Sequence, residues 1–145
     1  MKPRARRFPQ QFGALFVAVL TFATFATGAD IWKTLPPTPS LPKAAKSTYA
    51  PINDIQMWYA IVGNGRPVLL LHGGLSNSDD WADLVPVLLR NHYQVIVADS
   101  RGHGRSTRSS QAYSYDLMAS DVIALLDYLE LNKVDLVGWS NGGNY

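Results

Sequence analysis

Apolar residues fall into four patterns along the chain. Phe12 to Ala26 is one apolar stretch. Ile52 to Val62 alternates apolar and polar, as a half-buried strand does, with Met57-Trp58-Tyr59 as an interruption. Val68–Leu71 and Val95–Ala98 are short apolar runs, which suit strands covered on both faces, and Val134–Val137 predicts a third strand. Between them, Trp81, Leu84, Val85 and Leu88, then Met118, Val122, Leu125 and Leu129, recur at helical spacing.

Turn and cap residues divide these patterns. Gly63-Asn64-Gly65 predicts a hairpin turn after the first strand. Ser78 reads as an N-cap, with Asp79 and Asp80 in a first turn that favours negative charge. Pro86 breaks or kinks the helix that follows. Ser114 caps the next helix, and Asn132-Lys133 turns the chain into the last strand. Strand–helix–strand–helix–strand predicts an α/β fold, an open and mostly parallel sheet with helices on both faces. No internal repeat is visible.

Charge separates the head from the body. Lys2, Arg4, Arg6 and Arg7 precede the apolar stretch, and residues 1–29 hold no acid. The remaining residues carry nine basic and eleven acidic side chains, so the pI near 9.0 belongs to the head. Nothing in the body suggests a nucleic-acid surface. The order of basic start, apolar core and small residues Thr27-Gly28-Ala29 predicts a signal peptide or signal anchor over 1–29, hence export. Fifteen apolar residues reach roughly 22 Å, short of a ~30 Å hydrocarbon core. Membrane contact is therefore expected only through an uncleaved head. Pro36, Pro37, Pro39 and Pro42 then predict an extended linker over 30–50, leaving 51–145 as the folded portion. The absence of cysteine excludes a disulfide framework, a thiolate nucleophile and a Cys-based zinc site.

Ligands of open parallel sheets sit beyond the carboxyl ends of the strands. Three loops qualify: His72-Gly73-Gly74, Asp99 through Ser106, and Gly138 through Gly143. In the last, "GWSNGG" puts Ser140 after a buried strand with glycine two residues to either side. A sharp strand-to-helix turn strains its central residue and presses the flanking residues together, so those must be small. Such a turn exposes the Ser140 hydroxyl as a nucleophile. It also offers the Asn141 N–H to a developing oxyanion. Gly73 and Gly74 let backbone approach a substrate closely, and the N–H of Gly74 or Leu75 would complete an oxyanion hole. His72 is expected to shape its loop rather than transfer protons, and His92 to lie on the surface. Asp99 is expected to end a strand, and His103 to sit in a hydrogen-bonded turn. "DSRGHGRS" and "GNG" lack the spacing of a phosphate loop. His72, His92 and His103 lack metal-ligand spacing. No cofactor is expected.

Together, "GNGRPVLLLHGG", "VIVADSRGHGRS", "DLMASDVIALLDYLE" and "VDLVGWSNGG" resemble the α/β-hydrolase superfamily over residues 52–145. The elbow is most similar to small serine esterases and valacyclovirase-like hydrolases, and also to cofactor-free haloperoxidases and prolyl aminopeptidases. The resemblance implies Ser140 as nucleophile, the amides of Asn141 and Gly74 as oxyanion donors, and a small ester or related acyl substrate. Serine at this position differs from the aspartate of the dehalogenase and epoxide-hydrolase branches.

In that family the chain order is Ser, then Asp or Glu, then His. The residues after Ser140 are Asn141, Gly142, Gly143, Asn144 and Tyr145, and all three histidines precede it. The expectation is therefore the first part of a hydrolase, truncated after the elbow. The alternatives are an inactive or membrane-tethered product, or half of a split enzyme completed by a partner chain. Trp139 is expected to pack beside the site rather than to choose the substrate.

Overall fold

The computed structural model describes residues 39–43 and 46–145. The expected signal segment, and most of the proline-rich linker, lie outside them. The described strands are β1 (Lys46–Ile52), β2 (Ile55–Val62), β3 (Arg66–Leu71), β4 (Tyr93–Ala98) and β5 (Asp135–Gly138). The helices are α1 (Val85–Arg90) and α2 (Tyr115–Tyr128), with 3-10 turns at Ser78–Trp81 and Ser140–Gly143.

One sheet runs β1-β2-β4-β3-β5. β3 lies parallel to both β4 and β5, while β2 is antiparallel to β1 and β4. The pure apolar runs become the central strands for a simple reason. Both faces of β3 and β4 are covered, so Val68–Leu71 and Val95–Ala98 are buried at every position. Val68 and Leu70 join Val95, Val97 and Val85 on the α1 face. Leu69 and Leu71 join Ile96, Ala98, Val122 and Leu125 on the α2 face. Burying one such side chain stabilises the fold by about 1.5–3 kcal/mol.

Three expectations need correction. The linker expected over 30–50 ends sooner, since strand pairing already starts at Lys46, opposite Ile61. The prolines behind that linker all precede Lys46, and Pro51 within β1 costs no ladder bond because it stands on the open side of an edge strand. Gly63-Asn64-Gly65 is not a hairpin turn, because β2 and β3 are not neighbours. The hairpin turn is Asn53-Asp54, joining β1 to β2, with Asn53 at φ 46°. Ser78 is not the cap of its turn. Asn77 is, accepting the Asp79 amide at 2.8 Å, while Ser78 is buried against Asp99.

Other signals read through. Ser114 caps α2 by accepting the Leu117 amide at 3.1 Å. Pro86 stands in the first turn of α1, where its missing N–H costs little, so the 3-10 turn and α1 form two separate pieces. Met118, Val122 and Leu125 face the core from α2.

Candidate active site

Three loops leave the carboxyl ends of β3, β4 and β5. The β5 loop turns most sharply. Ser140 takes φ 50°, a left-handed conformation that costs a non-glycine residue about 1–2 kcal/mol. Its neighbours explain why glycine stands at either side. A Cβ on Gly138 would collide with the Gly142 carbonyl, and one on Gly142 with the carbonyls of Leu71 and His72. Trp139 N–H donates to Leu71 C=O at 3.1 Å, which ties the elbow to β3. Ser140 itself is exposed.

The β3 loop meets this elbow. A Cβ on Gly73 would lie 2.8 Å from Trp139 Cδ1 and 3.4 Å from Ser140 Cβ. A Cβ on Gly74 would lie 3.6 Å from Asn141 Nδ2. The structure therefore brings Gly74, Ser140 and Asn141 together. Among the described residues, the amides of Gly74 and Asn141 donate to no protein acceptor, which leaves both free for a ligand.

His72 holds the β3 loop in shape. It is 1% exposed. Its Nδ1–H donates to Gly73 C=O at 2.6 Å and its Nε2 accepts the Ser100 amide at 2.9 Å. Both ring nitrogens are engaged, so the ring is neutral and offers nothing to Ser140. Burial pushes its pKa below the ordinary value, outweighing the pull of the Gly73 carbonyl.

The β4 loop is polar yet closed. Asp99 is fully buried and accepts from Ser78 N–H and Oγ–H and from Arg105 N–H and Nε–H. Burial opposes its ionisation. The Arg105 guanidinium, the Ser78 hydroxyl and two amides outweigh that and hold the carboxyl below its usual range. Arg105 also lies over the Trp58 ring, 3.6 Å from its centroid. Arg101 is sequestered against Asp121, Nε to Oδ2 and Nη2 to Oδ1 both at 2.7 Å, and reaches Asp54 at 2.7 Å. His103 Nδ1–H donates to Arg101 C=O at 2.9 Å.

Several of these groups escaped the sequence reading. Asp121 sits on the same α2 stripe as Met118 and Leu125, and a charge on an apolar stripe is a signal of a buried partner. Tyr115 Oη–H donates to Asn141 Oδ1 at 2.8 Å, a contact 26 residues apart with no local signature. Trp139 departs from expectation. It is 63% exposed and forms one wall of a groove with His72, Asp80 and Trp81. A second groove, lined by Tyr113, Tyr115, Met118 and Asn141, opens beside Asn141. Among the described residues no cluster of His, Asp or Glu has the arrangement to hold a metal ion, and no helix is long and apolar enough to cross a membrane.

A strained serine between two glycines, at the end of a parallel strand and facing a second Gly-Gly loop, defines a class. Residues 66–145 match the alpha/beta hydrolase fold family model, and the chain belongs to that family. It is 39% identical over 91 residues to a non-heme chloroperoxidase of Kitasatospora aureofaciens, covering 63% of this chain and 33% of that protein. It is 35% identical over 95 residues to a soluble epoxide hydrolase of Corynebacterium, covering 66% and 33%. A solved esterase from Exiguobacterium antarcticum superposes with TM-score 0.64 at 33% identity, covering 68% of this chain and 37% of that one. The chain thus spans about a third of the length of these relatives.

Proposed function

We propose that this chain carries the nucleophile and oxyanion hole of a serine hydrolase acting on small esters or related acyl compounds. The observation that carries the proposal is Ser140 at φ 50°, exposed, between two glycines that admit no Cβ, with the Gly73-Gly74 backbone against it. Ser140 Oγ attacks the acyl carbon. The carbonyl oxygen becomes an oxyanion, held by the Asn141 and Gly74 amides. The alcohol leaves with a proton, and water later releases the acid from the acyl-serine. Serine, rather than aspartate, favours this route over the alkyl-enzyme chemistry of aspartate nucleophiles.

The Ser140 proton needs a base. Among the described residues no histidine is hydrogen-bonded to Ser140, and His72 is committed to its own loop. We place the base and its orienting acid in sequence beyond these 145 residues, on a longer chain or a partner. Coverage of only a third of the relatives supports that. The chain alone should then react slowly with a fluorophosphonate at Ser140 and turn over p-nitrophenyl acetate without triad-level rates. Labelling that persists in Ser140→Ala, or fast turnover by the chain alone, would overturn the assignment. We also propose that residues 1–29 direct export. Mass spectrometry of the secreted product beginning near Asp30 is the expected outcome.

A further inference from the structure

Resting on the hydrolase reading, we infer that the groove between Trp81 and Trp139 receives a cationic amino or quaternary ammonium group on the acyl substrate. The groove holds about 340 Å³, within the ~300–1,000 Å³ of small-molecule sites. It is lined by Trp81, Trp139, Asp80 and His72. Indole faces attract cations, and quaternary ammonium ligands are bound by such aromatic walls.

Asp80 supplies the countercharge. It accepts from the Ser76 hydroxyl, and among the described residues no basic side chain pairs with it. Arg105 is held by Asp99 and approaches the neighbouring Asp79 at 3.4 Å. Asp79, Asp80 and Asp83 in one short segment give the groove an acidic field that draws cations in. The other flank of the elbow is chemically different, with tyrosines, a methionine and an asparagine but no charge. The groove also reaches the reacting centre. Trp139 Cδ1 and Ser140 Cβ both flank Gly73. A cation seated on the Trp139 face is therefore a short linker away from an ester carbonyl at Ser140.

The test titrates the whole chain with acetylcholine and with its neutral carbon isostere, 3,3-dimethylbutyl acetate, following indole N–H signals by NMR. The expected result is about tenfold tighter binding of the cation, with shifts at Trp81 and Trp139. Asp80→Asn should erase most of the preference, and Trp139→Leu should weaken both ligands. Added salt should weaken only the cation, which tests the wild-type chain without any substitution. Equal affinities, or shifts confined to other tryptophans, would overturn the inference. Fluorophosphonate labelling of Ser140 is read in parallel. Labelling without cation preference sinks the groove and leaves the hydrolase reading intact. Cation preference without labelling upholds the groove as a binding site and sinks the hydrolase reading.

Discussion

The loops after β4 and β5 are both rich in polar residues and glycine, yet they are opposites. From Asp99 to Arg105 in the β4 loop every charge is answered within the protein. Asp99 accepts from five donors of Ser78 and Arg105, and Arg101 is locked onto Asp121. The β5 loop holds an exposed serine in a strained backbone, beside amides without protein partners. Polar content does not separate scaffold from site. What separates them is whether the polar groups are already satisfied.

The largest test of this contrast is Arg101→Met. It leaves Asp121 buried without its partner and should cost about 3–5 kcal/mol in urea unfolding. Adding Asp121→Leu should recover most of that loss, because a well-packed apolar pair replaces a buried ion pair at little cost. No recovery would mean that Arg101 does more than neutralise Asp121. On the other side, Gly138→Ala sets a Cβ against the Gly142 carbonyl and should cost about 1–3 kcal/mol by overpacking. It should also slow fluorophosphonate labelling of Ser140, whereas conservative changes in the β4 loop should not.

Ser140→Gly should raise stability by about 1 kcal/mol, seen as a higher Tm, since glycine adopts φ 50° without strain. A lower Tm would show that Ser140 is not held under strain. The smallest effect is on pH dependence. His72 has a depressed folded pKa, so its contribution is complete above its ordinary value of 6.5 and is lost as pH falls below that. Asp99 is also depressed, so its contribution is complete above 3.8 and is lost at more acid pH. Thermal melts should therefore decline in two separate windows, and His72→Asn should remove the upper one.

The sequence announced features whose cause is local. Val68–Leu71 and Val95–Ala98 are strands because both their faces need apolar cover. Ser114 caps because its hydroxyl reaches an amide three residues on. Gly138, Ser140 and Gly142 declare a tight turn by themselves. Features that depend on distant partners were hidden. Ser78 looked like a cap because Asp99, 21 residues away, was not visible as its partner. The start of β1 was hidden because the linker set by Pro36 to Pro42 runs straight into it, and only pairing with β2 marks Lys46 as strand. The Gly63-Asn64-Gly65 turn signalled a change of direction correctly but not which strand comes next. Trp139 looked like packing, and only the fold shows that little packs on it.

His72 has one further consequence. The Gly73 carbonyl that accepts its Nδ1–H belongs to the same peptide group as the Gly74 N–H. Drawing electron density toward that oxygen leaves the amide hydrogen more positive, and chains of hydrogen bonds strengthen one another by about 10–30% per bond. The Ser100 amide, donating into the other ring nitrogen, extends the same relay from β4. A histidine that takes no proton from Ser140 thereby polarises the amide proposed to hold the oxyanion.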